Sequence, residues 1–162
     1  MMGHLDQALN FTALTLFILI AGFFYAFSVC VMPGLNRTDP AVAIEAMQAI
    51  NEAVRNPLFF VTFFLTPVAA VLAALVAWHS GSAIGAIFMA GAAITYFALA
   101  LLLTANINVP MNEALALVDL TSADAAEIWA DYSERWTFWN TFRTVASTIA
   151  ALLFVAGIMQ RG

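Results

Sequence analysis

The sequence predicts an all-α integral membrane protein, a four-helix bundle with an extramembrane helical cap on one face. Three observations carry this. The 162 residues are 64% hydrophobic and only 9% charged, with a mean hydropathy of +0.93, whereas soluble domains carry roughly 25% charged residues. Apolar runs recur four times at about the 20 residues that an α-helix needs to cross a hydrocarbon layer of about 30 Å. Between them lie two connections, at about 32–57 and 105–140, that hold most of the amides and arginines. The expected organisation is a single membrane domain over residues 1–162, with spans at about 11–31, 58–78, 83–104 and 141–159.

The first span, Phe11 to Val31, has no small-residue cleavage pattern and is expected to be retained, ending at Met32-Pro33-Gly34. Gly22 and Ala26 lie four apart within it, a spacing that lets another helix approach closely. Asp39-Pro40 reads as an N-cap followed by proline at the first helical position, opening a short surface helix that Asn56-Pro57 closes. On that helix Gln48, Asn51 and Arg55 share one polar face. The second span contains Pro67, which membrane helices tolerate, and only His79-Ser80-Gly81-Ser82 separates it from the third. Those two spans must therefore form a tight antiparallel hairpin.

The third span is expected to end at Thr104, where Asn106, Asn108, Pro110 and Asn112 read as a helix-ending turn or as a site. Thr121 and Asp124 have the spacing of a capping box. From there a helical pattern runs unbroken to Met159, about 55 Å at 1.5 Å per residue, so the fourth helix should project beyond the bilayer. Its projecting part is two-faced. Asp124, Glu127, Asp131 and Glu134 fall on one side, and Trp129, Tyr132, Trp136 and Trp139 on the other, leading into Asn140 and Arg143.

Four crossings bring both long connections to the same membrane face and leave His4 and His79 on the opposite one. A histidine-ligated metal or haem on the polar side has no histidine to use, and no metal or cofactor is expected. The net charge of −5 argues against nucleic acid. Cys30 is alone, so no internal disulfide forms. Arg37, Arg55, Arg135 and Arg143 on the polar side against Arg161 on the other place the long connections in the cytoplasm by the positive-inside rule. The count loses force if Arg55 and Arg143 serve a site.

Arg143 lies about one turn inside the apolar part of its helix, where a cation is costly unless it finds a partner or a wet cavity. It either snorkels to the interface or belongs to a site. The tryptophans have an equally plain alternative as interface anchors, and Gln48, Asn51 and Arg55 as a solvated face. Their convergence on one membrane face puts amides, a guanidinium and large aromatic planes together, the composition suited to a flat phenolic or quinone-like ligand.

The run Asn106-Ile107-Asn108-Val109-Pro110-Met111-Asn112, followed by Trp136-x-x-Trp139-Asn140-x-x-Arg143, resembles the signature of the anthrone oxygenase-like family of small membrane proteins. The resemblance extends to Phe24-Tyr25-Ala26-Phe27-Ser28, Met32-Pro33-Gly34-Leu35, Met47-Gln48-Ala49-Ile50-Asn51 and Asn56-Pro57. It implies oxidation of a hydrophobic aromatic such as an anthrone to a quinone, with O2 as co-substrate and no cofactor. Under it Arg143, Asn140 and Asn108 would be catalytic, with Arg143 and Asn140 holding an oxyanion. Asn106, Asn112, Trp136, Trp139, Gln48, Asn51, Arg55 and Tyr25 would bind substrate. The general base is left open among Tyr25, Tyr132 and a carboxylate. The competing expectation is a non-catalytic membrane protein whose polar face binds a lipid-like ligand or a partner protein. Either would sit in the lipid bilayer as a multi-pass protein, expected in a bacterial-type cell membrane, with homo-oligomer contacts available through Gly22/Ala26 or Gly81/Gly85.

Overall fold

The computed structural model describes residues 3–161, and among these there are five helices and no strand. They are α1 (His4–Leu35), α2 (Pro40–Ala53), α3 (Pro57–His79), α4 (Ala83–Ala116) and α5 (Ala125–Met159). All but α2 are long and apolar enough to cross a membrane. Their outer faces carry exposed Leu, Ile, Val and Phe along most of their length, a surface that hydrocarbon solvates and water does not. In cross-section the four pack as a ring, α1 against α3, α3 against α4, α4 against α5 and α5 against α1.

One end of the bundle is tightly closed. Gly81, at φ +84°, supplies the left-handed residue of the α3–α4 turn. The chain ends meet there, with Arg161 Nη2 3.2 Å from Asp6 Oδ2 and Ser82 Oγ donating to the Gln160 carbonyl at 3.0 Å. A Cβ on Gly85 would come 2.9 Å from the Gly157 carbonyl oxygen, and one on Gly157 would come 2.9 Å from that of Gly85. Gly85 thus serves α4–α5 packing within the chain. Gly22 meets nothing within 4 Å, so the close approach expected at Gly22/Ala26 is absent within the chain.

At the opposite end lies the cap. Asp39 Oδ1 accepts from Ala41 N at 2.9 Å to start α2, and Asn56 Oδ1 accepts from Phe59 N at 3.0 Å to start α3, as the sequence indicates. The expected capping box is not formed. Asp119 Oδ1 instead accepts from Thr121 N and Oγ1 at 2.9 and 2.8 Å, holding this exposed carboxyl below its ordinary range. Asp124 precedes α5 without a side-chain cap bond.

Two expected helix stops do not occur. The first span continues through Met32-Pro33-Gly34 to Leu35, and the third continues through the asparagine stretch to Ala116. Asn108 sits at φ −72°, ψ −36°, ordinary right-handed helix, and among the described residues no non-glycine residue has positive φ. The physical reason is a change of helical register. Segments of π-helix at Phe27–Val31 and Thr104–Asn108 each stand two residues before a proline, Pro33 and Pro110. A proline cannot donate to the carbonyl four residues back and crowds it. The wider π turn relieves the crowding without ending the helix.

Pro67 is accommodated differently. Its missing N–H would orphan the Phe63 carbonyl, and buried Tyr96 on α4 donates its hydroxyl there at 3.1 Å. Tyr96→Phe is therefore expected to leave an unsatisfied carbonyl in an apolar core and cost about 1–3 kcal/mol. A thermal melt in lipid nanodiscs should show a lowered midpoint for this variant. An unchanged midpoint would mean that the Tyr96 bond contributes nothing net.

Candidate functional site

A cavity of about 310 Å³ opens beneath the cap between α1, α3, α4 and α5. With α4 continuous, Leu101, Thr104, Ala105, Asn108 and Asn112 fall at i, i+3, i+4, i+7 and i+11, one helical face, and all of them line it. From α1 come Phe23, Phe24 and Phe27, from α2 Asn51, from the α2–α3 connection Arg55, from α3 the phenylalanines near its start, and from α5 Trp136 and Arg143.

Arg143 is the electrostatic centre of this cavity. Its side chain is 3% exposed, turned inward and not snorkelling to the interface. Nη1 donates to Thr104 Oγ1 at 2.8 Å and Nη2 to Asn140 Oδ1 at 2.9 Å. The guanidinium carbon lies 4.3 Å from the centre of the Phe24 ring and 5.4 Å from that of Trp136, contacts worth about 0.5–2 kcal/mol each. Among the described residues no carboxylate lies within 4 Å of it, and its Nε has no partner. A cation at membrane depth costs about 2.5–3.5 kcal/mol even on the most lenient scales. The chain thus holds in place an uncompensated positive charge.

Asn140 is fully buried and stands behind Arg143, away from the cavity. Its Nδ2 donates to the Phe24 carbonyl at 2.7 Å and to Ser28 Oγ at 2.8 Å, tying α5 to α1 where α1 loosens into π turns. Thr104 Oγ1 accepts from Arg143 and donates to the Ala100 carbonyl at 2.6 Å. Both groups fix the plane of the guanidinium. Asn108 faces the cavity at 1% exposure, with Oδ1 and Nδ2 both unpartnered within the chain. Asn112 Oδ1 accepts from Tyr132 Oη at 2.9 Å and Trp136 Nε1 at 2.8 Å, which holds the Trp136 plane beside Arg143. At the rim stand two exposed charges, Arg55 and Glu113.

A family model described as anthrone oxygenase matches residues 55–153. The chain belongs to the anthrone oxygenase family. No curated protein and no solved structure matches it. The segment matched to the anthrone oxygenase family contains Arg55, Asn108, Asn112, Trp136, Asn140 and Arg143. It leaves out α1 and α2, so the likeness expected over Phe24–Ser28 and Met47–Asn51 lies outside it.

Of the residues singled out from sequence, Asn51, Arg55, Asn108, Asn112, Trp136 and Arg143 meet at the cavity. The others do not. Gln48 Nε2 donates to the Leu115 and Val118 carbonyls at 2.8 and 3.3 Å, closing the end of α4. Asn106 Nδ2 bonds back to the Leu102 carbonyl at 2.7 Å on an exposed face. Trp139 packs between Phe138 and Phe142, and Tyr25 is 58% exposed on the outside of α1. Sequence reasoning missed Thr104, Glu113 and the α1 and α3 phenylalanines. Thr104 was legible in the helical spacing from Leu101, had the asparagines not been read as a stop.

Proposed function

We propose that this protein is a membrane oxygenase that converts a hydrophobic aromatic such as an anthrone to a quinone with O2 and no cofactor, in a bacterial-type cell membrane. The observation that carries the proposal is Arg143, a buried cation without a carboxylate partner, set between two aromatic rings at a cavity. Loss of a proton from the anthrone methylene moves negative charge onto the ketone oxygen opposite. The guanidinium and the Asn108 amide would stabilise that oxyanion more than the neutral ketone, which lowers the barrier. The electron-rich carbon then takes up O2 to give a hydroperoxide, and loss of water leaves the second carbonyl. One oxygen atom of O2 enters the quinone and the other leaves as water.

Phe24, Phe27 and Trp136 would sandwich the rings. Asn112, its Oδ1 committed to Tyr132 and Trp136, would offer its Nδ2. Glu113, the carboxylate on the cavity lining, would accept the methylene proton through the rim. Tyr132 is less suited, since its hydroxyl is already donated to Asn112, and Tyr25 faces outward.

The test is oxidation of an anthrone by purified protein under ¹⁸O2, because anthrones also oxidise unaided. Protein-dependent quinone formation with one ¹⁸O per turnover is expected. A rate equal to that of protein-free nanodiscs, with a bound aromatic still detected, would leave ligand binding without catalysis as the function.

A further inference from the structure

The polar cavity adjoins an apolar groove on the membrane-facing surface. Phe64, 51% exposed on the lipid-facing side of α3, and Leu101 on α4 line it. The same two residues line a second, almost wholly apolar groove of about 590 Å³ that runs down the outside of the α3–α4 seam. Pro67 and Phe97, the latter opening the π segment Phe97–Leu102, border this groove. Where they flank the groove, α4 widens into π turns and α3 lacks one backbone donor at Pro67. At about 310 Å³ the cavity lies at the small end of ligand sites, which span roughly 300–1,000 Å³. A ligand much larger than a compact ring system must therefore extend beyond it. A route from the cavity past Phe64 and Leu101 would cross no polar surface.

We propose that the ligand of the Arg143 site is an amphiphile, with a flat oxygenated aromatic head in the cavity and a hydrocarbon tail in the α3–α4 groove. This rests on the reading of Arg143 as an oxyanion site and adds the class of molecule that fills it. From Leu101 to Ala93 the groove follows α4 for about 12 Å at 1.5 Å per residue, room for a tail of roughly ten carbons. Loading takes place from the bilayer, where such a molecule already partitions. Lipid is as apolar as the groove, so the tail contributes through packing and not through removal from water. About ten good carbon contacts correspond to a preference on the order of tenfold.

The test uses one hydroxyanthrone head with and without a ten-carbon alkyl chain, in nanodiscs of fixed composition. Affinity is read by tryptophan quenching and expressed per lipid, so that partitioning cancels. The wild type should bind the tailed compound about tenfold more tightly. Ala98→Phe, which fills the groove at an exposed position, should bring that ratio close to one, while Leu152→Phe on the exposed face of α5 should leave it unchanged. Arg143→Met should weaken both compounds. Equal affinities in the wild type, or a ratio that survives Ala98→Phe, would overturn the tail site and leave the head site standing. Binding of the tail-less head that is indifferent to Arg143→Met would overturn the oxyanion reading, and the proposal with it.

Discussion

Arg143→Met is expected to lower anthrone oxidation by about 10²–10³-fold, the loss typical of removing one preorganised oxyanion donor. It should do so with little change in stability. Removing the guanidinium relieves a buried charge that no carboxylate compensates among the described residues, and replacing buried charge by apolar volume is often neutral or favourable. Against this, Asn140 Oδ1 loses its donor, a cost of about 1–3 kcal/mol. The two oppose, so the melting midpoint should move by only a few degrees. A structural arginine would give the reverse pattern, with folding lost and no separate effect on rate. Arg143→Lys keeps the charge but cannot reach Thr104 and Asn140 with a planar fork. It should recover part of the rate, mainly through kcat. Full activity in Arg143→Met would remove the oxyanion role.

The architecture was legible because it rests on hydropathy and parity. Four apolar runs separated by one tight and two long connections leave little choice of how helices cross, and the cap follows from where the long connections fall. The two faces of α5 were legible for the same reason. Asp124, Glu127, Asp131 and Glu134 are exposed, while Trp129, Tyr132 and Trp136 are buried. What could not be read was which polar residues satisfy the backbone and which face the cavity. Asn106, Asn108 and Asn112 look alike in sequence. One bonds its own helix, one has no partner in the chain and one orients Trp136. Their roles depend on the π turns before Pro110, which rotate the helical face by an amount that residue identity does not encode. Gln48 illustrates the same limit, since its partners are carbonyls that exist only because α4 runs on to Ala116.

Glu113→Gln carries the second large expected effect, a loss of about 10²–10⁴-fold, the range for removing a general base. The substitution is nearly isosteric at an exposed rim position, so stability and binding of the quinone product should be unchanged. That separates it from Arg143→Met, which should weaken binding of the oxyanion as well. Alkaline pH provides a second readout. An anthrone ionises increasingly in solution as pH rises, and a substrate that arrives already deprotonated needs no base. The deficit of Glu113→Gln should therefore shrink with increasing pH, whereas that of Arg143→Met should persist, because the anion still has to be held. A deficit that stayed constant across pH would assign Glu113 to steering or rim electrostatics, opposite Arg55, instead of proton transfer. With no deficit at all, the proton would leave through bulk water at the cavity mouth, and catalysis would rest on charge stabilisation at Arg143 and Asn108 alone.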